Sequence, residues 1–261
     1  MKIIRAIFLL VIFLVFWPLP GIASQEKGLE IAKERKARDT GWQDSESNIT
    51  MTLTNSQGES HFRELRIKSL EVDGDGDKSL TIIDGPGDVK GTALLSHFHL
   101  VDADDQWLYL PSLKRTKRIS SRNKSGPFMG SEFAYEDLSS FEIEKYNYNY
   151  LRDDVYENND VYVMDHFPKD RYSGYKKQIV WVDKENYRPY KVEFYDRKKT
   201  LLKTLNFEDY QLYLDHFWRS HKMTMVNHQT GNSTEILTHE LGIKRGLGEG
   251  GFTRSALKRA R

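Results

Sequence analysis

The sequence predicts a mainly β protein, built on one large antiparallel sheet that has to curl or close on itself. Three observations carry this reading. Apolar and polar residues alternate through many separate stretches, which points one face of each stretch at a core. Short Gly-, Asn- and Asp-rich signals divide those stretches in the manner of hairpin turns. The 261 residues contain no cysteine, so neither disulfides nor thiolate metal sites can replace a hydrophobic core. A flat sheet of so many strands would expose long unpaired edges, hence the curl.

In chain order, the first element is an export signal. Lys2 and Arg5 precede an apolar run from Ala6 to Phe16, Trp17-Pro18-Leu19-Pro20 breaks it, and small residues flank Ile22 in Gly21-Ile22-Ala23. The run is too short to span a bilayer, and the pattern predicts a cleaved signal peptide over residues 1–23 with the mature chain starting at Ser24. The prolines and the small-residue site favour cleavage over an uncleaved anchor. Without a cysteine there is no site for N-terminal acylation, so the exported chain is expected to be free in the periplasm. Loss of Lys2 and Arg5 moves the formal charge from +1 to slightly acidic. Recruitment by global charge is thereby excluded, and any attraction to an anionic partner must be local.

Residues 24–261 read as a single domain. Ser24 to Arg38 carries acids early, bases late and an apolar stripe through Leu29, Ile31, Ala32 and Ala37, which predicts an amphipathic helix closed by Gly41. Alternation then predicts strands at Asn48–Thr54, Arg63–Val72, Gln106–Leu110, Phe141–Tyr146, Asp160–Phe167, Lys177–Val182, Tyr190–Tyr195, Lys222–Val226 and Ser233–Leu241. Turns are expected at Asn55–Gly58, Asp73–Asp77, Asp84–Gly87, Arg197–Lys199 and Gln229–Asn232. A short helical piece is expected around Phe133–Ser140. After the glycine-rich joint at 246–251, Thr253 is placed to cap a last helix over Arg254–Arg261.

No motif announces catalysis. Asp73, Asp75 and Asp77 start like a calcium loop, but Lys78 stands where the sharp turn needs glycine and Asp84 where a bidentate Glu is needed, so a hairpin turn is the better reading. His97 and His99 share a strand face, with Asp102, Asp104 and Asp105 following, yet no third zinc ligand has suitable spacing. The glycines at 246–251 leave no room for a following βαβ unit, and there is neither a nucleophile elbow nor a Gly-Lys-Ser/Thr phosphate loop.

Two stretches suit a binder. Lys114, Arg115, Lys117, Arg118, Arg122 and Lys124 form a basic run beside Trp107 and Tyr109. In an exported protein nucleic acid is an unsuitable partner; the run fits an anionic head group or an acidic partner surface, or else a strand edge whose cations block pairing. Ser125-Gly126-Pro127-Phe128-Met129-Gly130-Ser131 sets two large apolar side chains between glycines, which suits either a mobile gate or a core plug.

Val89–Leu95, Asp105–Pro111, Lys114–Ile119 and the run from Asn123-Lys124-Ser125-Gly126 through Phe128-Met129-Gly130-Ser131 to Tyr135-Glu136-Asp137 resemble the outer-membrane lipoprotein-sorting protein family, related to the periplasmic carrier LolA. The resemblance covers most of the mature chain. It implies an incompletely closed antiparallel β-barrel of the LolA/LolB type, with a few helices covering a cavity for acyl chains. It also implies a periplasmic carrier, not an enzyme, with no cofactor, that moves lipoprotein or lipid cargo towards the outer membrane. Expected ligand contacts are Trp107, Tyr109, Phe128, Met129, Phe133 and Tyr135, with the basic run meeting a head group or partner. An inner-membrane exporter of the RND type and an outer-membrane acceptor are the partners implied. The alternatives are a cargo-free partner of such an exporter and an exported lipid hydrolase.

Overall fold

The computed structural model describes residues 20–260. The expected signal segment therefore lies outside the described residues up to position 19, and Pro20 to Ala23 form the first turn of helix α1 (Pro20–Arg38). No helix among the described residues is long and apolar enough to cross a membrane.

Thirteen strands form one antiparallel sheet. They are β1 (Asp44–Thr54), β2 (Ser60–Leu70), β3 (Lys78–Gly85), β4 (Ala93–His97), β5 (Asp105–Leu110), β6 (Arg115–Ile119), β7 (Tyr146–Tyr156), β8 (Asn159–Pro168), β9 (Tyr175–Asp183), β10 (Pro189–Asp196), β11 (Leu201–Tyr213), β12 (Phe217–Asn227) and β13 (Ser233–Ile243). Their order is β6-β5-β4-β3-β2-β1-β13-β12-β11-β10-β9-β8-β7. Two meanders thus meet at the β1–β13 seam, and β6 and β7 remain as edges of a barrel that does not close.

Helix α1 packs on β7, burying Ile31 and Ala32 in the main core. Burying such an isoleucine supplies roughly 2 kcal/mol. Gly28 makes the approach possible, because a Cβ there would stand 2.9 Å from the backbone nitrogen of Tyr150. Gly41, at φ +97°, ends the segment in a conformation that side chains resist. At the other end of the chain Thr253 accepts a hydrogen bond from the Ala256 amide at 3.1 Å, which caps α2 (Arg254–Arg259). This short helix covers the outer face of β3–β5, where Leu80, Ile82, Ala93 and Leu95 meet Phe252 and Leu257.

The structure corrects several local expectations. Phe141–Tyr146 is a 3-10 turn at Ile143–Lys145 rather than a strand. Its alternation belongs to a loop docked on α1, with Phe141 under Arg35 and Glu142 buried against Lys36. Strand β3 runs through Asp84 and Gly85, so that turn begins later than expected. The strands β3, β4, β6, β7 and β11 were not foreseen. In the β2–β3 turn, Asp77 accepts from the Val72 amide and Asp75 from the Leu100 amide and the His99 ring. His97 bonds the Phe252 carbonyl at 2.7 Å.

Candidate functional site

The curl of the sheet leaves a cavity of about 810 Å³ on its inner face. This lies within the several-hundred Å³ range of sites that enclose an organic ligand. One wall comes from β2–β4 through Ile67, Leu94 and Ser96, the opposite wall from β11 and β12 through Phe207, Tyr210, Trp218 and Met223. The last turn of α1 and the segment 138–141 form the cover. In β4, Leu94 and Ser96 face inward while Ala93 and Leu95 pack under α2, so both faces of that short strand are buried.

A left-handed residue interrupts the far wall. Asp209, opposite His221 and at φ +50°, breaks the ladder between the pairs Glu208–Lys222 and Tyr210–Ser220, while the β11–β12 register is the same on both sides of it. Phe207 and Tyr210, on either side of this left-handed residue, both line the cavity.

The cavity walls set apolar side chains among the hydroxyls of Ser69, Thr81 and Ser96, and its cover is cationic. Lys36 Nζ lies 3.0 Å from Glu142, and Arg219 Nη1 lies 2.6 Å from Asp39. Arg188 Nε reaches Asp183 at 3.2 Å, with its guanidinium carbon 4.2 Å from the Trp218 ring centre. Arg38 pairs with Glu34 on its own helix. Arg35 differs. Its guanidinium carbon stands 4.1 Å from the Phe141 ring centre, and it makes neither a hydrogen bond nor an ion pair with the described residues. Burial pushes its pKa down, opposed by the charges of Tyr210 and Asp39.

Behind Arg35 stands an aromatic block. His166 stacks on Phe141 at 5.8 Å between ring centres and meets Tyr148 edge-on at 4.8 Å. Burial, then the charge of Arg35, holds its pKa well below the usual histidine value, so the ring is neutral. Burial likewise raises Tyr146 to about 12. On the cavity wall, burial raises the Asp77 carboxyl to about 6, opposed by Lys36. Ser140 donates to Glu142 at 2.7 Å. Among the described residues no group of histidines, aspartates and glutamates could hold a metal ion. The arrangement is suited to enclosing an apolar body and receiving an anionic group near Arg35.

None of the six residues expected to contact ligand lines this cavity. Trp107 and Tyr109 share a face of β5, but it is the outer one, packed against the cluster under α2. Phe128, Phe133 and Tyr135 are buried in the main core, with Phe128 2% exposed and edge-on to Tyr135 at 5.8 Å; Met129 packs partly buried against them. Nor does the basic run form one site. Arg115, Lys117 and Arg118 project from edge strand β6, where Arg118 pairs with Asp105. Lys114 occupies the left-handed turn before β6, Arg122 lies 5.6 Å over Tyr172, and Lys124 binds Asp170 at 2.6 Å. The residues that do converge, Arg35, Phe141, Phe207, Tyr210, Trp218 and Met223, come from distant parts of the chain.

A family profile that bears the description "Uncharacterized protein" matches residues 75–259. No curated protein matches. Among solved structures, the chain is 63% identical to an outer membrane lipoprotein-sorting protein domain from Vibrio parahaemolyticus, with a TM-score of 0.89 over 90% of this chain and 100% of that one. A DUF1329 family protein from Desulfovibrio piger is 29% identical, with a TM-score of 0.85 over 90% of this chain and 99% of that one. A LolA superfamily protein from Nitrosomonas europaea shares the fold at 22% identity, with a TM-score of 0.71 over 88% and 98%.

Proposed function

The chain belongs to the outer-membrane lipoprotein-sorting family of LolA-like fold, and from that premise we propose that it is a periplasmic carrier, which holds the acyl chains of a lipid or lipoprotein in the cavity beneath α1 and passes them on chemically unchanged. The observation that carries this reading is the cavity of about 810 Å³ walled by Ile67, Leu94, Phe207, Trp218 and Met223. Each methylene removed from water contributes roughly 0.8 kcal/mol, so a dozen offer about 10 kcal/mol. A membrane offers a comparable amount, and transfer in either direction is then close to isoenergetic.

In this reading the mature chain starts at Ser24, an RND-type exporter and an outer-membrane acceptor are the donor and recipient, and strand β6 supplies a basic contact to one of them. Charge reversal at Arg115 and Arg118 should then weaken that association and flatten its salt dependence.

Native mass spectrometry of protein purified from the periplasm tests the carrier reading. The expected result is a chain beginning at Ser24 with lipid-sized mass increments that solvent extraction removes, and Met223→Trp should lower their occupancy by filling the cavity. An empty parent protein that also fails to take up a fluorescent acyl probe would overturn the reading and favour a cargo-free partner. Cleaved lipid products in place of intact ligand would favour the hydrolase.

A further inference from the structure

The cations around the cavity are unequal. Lys36, Arg219 and Arg188 are matched by Glu142, Asp39 and Asp183. Arg35 points the same chemistry at the cavity with no acceptor, against the face of Phe141. Arg35 is half-buried without a hydrogen-bond partner, and an apolar side chain at this position would serve a purely hydrophobic cavity better. Its place in the last turn of α1, facing the partial negative charge of the helix end, helps keep it charged. The planar fork matches a carboxylate or a phosphodiester, and the ring beneath holds the fork in one plane.

We propose that Arg35 and Phe141 form a head-group subsite, and that the cavity selects an amphiphile bearing a single negative charge over a neutral one. The inference rests on the carrier reading and names the class of its cargo. Arg35 is a cavity cation without a hydrogen-bonding acceptor, its fork has room for one anionic group, and the walls of Phe207, Trp218 and Met223 take the chain behind it.

The test displaces a fluorescent acyl probe from delipidated protein with palmitate, with hexadecanol, and with inorganic phosphate alone. The parent should bind palmitate about tenfold or more tighter than hexadecanol, as one charge-assisted hydrogen-bonded pair allows. Arg35→Met should bring the ratio near unity by weakening palmitate alone, and Arg35→Lys should keep part of it. Equal binding of both amphiphiles by the parent would overturn the head-group subsite while leaving the carrier intact. Displacement by phosphate at palmitate concentrations would overturn the amphiphile and leave a small-anion site. No binding of the probe or of either amphiphile by the parent defeats the carrier reading itself. The comparison of ligands on the parent decides the matter even if the Met variant does not fold.

Discussion

Lys203 of β11 and Asp137 form a buried ion pair, with Nζ 2.6 Å from Oδ2 and the side chains 5% and 3% exposed. The same ammonium donates to the Glu132 carbonyl at 2.7 Å, and Asp137 also accepts from the Ala134 amide and, at 2.7 Å, from the Tyr175 hydroxyl. The pair fastens the connection that carries Phe128, Phe133 and Tyr135 onto the middle of the sheet. Lys203→Met leaves Asp137 buried without its cation and should cost about 3–5 kcal/mol. Urea unfolding measures it. The double variant Lys203→Met/Asp137→Asn should recover a large part of the loss, and failure to recover any would mean that the pair is not the fastening.

Gly28→Ala reverses the usual sign for a helix. An alanine inside a helix normally adds up to about 1 kcal/mol over glycine. Here the added methyl would meet the backbone of Asn149 and Tyr150. Overpacking of this kind costs about 1–3 kcal/mol. A lowered thermal midpoint is expected, and a raised one would show that α1 sits further from β7.

Burial disfavours the charged form of Asp77 and pushes its carboxyl up to about 6, above the ordinary 3.8. The fold therefore holds this proton more tightly than the unfolded chain, and stability is lost as pH rises through the interval between the two values. The full shift corresponds to about 3 kcal/mol. Asp77→Asn removes that dependence and keeps an acceptor for the Val72 amide. Its stability relative to the parent should be about 2–3 kcal/mol more favourable at pH 7.5 than at pH 3.5. Parallel pH profiles of parent and variant would contradict the shift.

Phe128 is 2% exposed within the main core, so Phe128→Ala should cost about 3–5 kcal/mol in unfolding. Ligand uptake per folded molecule should stay unchanged. Normal stability with lost uptake would instead make this side chain a gate.

Arg115 and Lys117 stand exposed on β6, whose outer backbone groups face no neighbouring strand. Cations on such an edge keep a second chain from extending the sheet. Arg115→Thr/Lys117→Thr should show concentration-dependent association in light scattering; a monomer at every concentration would assign the charges elsewhere.

Strands with one more solvated face were legible in the sequence, because β1 and β13 alternate. Strand β4 is covered on both faces and so has no period to read, and β6 is almost wholly charged. On β5, the shared face of Trp107 and Tyr109 was legible, but not whether it turns inward, since α2 buries the outer side too. Phe207 and Tyr210, three positions apart, read as opposite faces, yet with Asp209 in the left-handed conformation between them both line the cavity. Arg35 reads as one of several bases ending α1. Only the tertiary arrangement separates it from Lys36 and Arg38, by giving those two carboxylates and Arg35 none.

The seam between β1 and β13 ties together residues such as Asn48 and Glu240, which bond at 2.9 Å across 192 positions of sequence. Every other strand pair joins neighbours along the chain. During synthesis β1 therefore emerges with one side satisfied by β2 and the other open until nearly the whole chain has followed. Two quick local meanders and one slow closing contact form the expected order of events. For that interval the nascent protein presents a long bare strand edge, open to pairing with another chain.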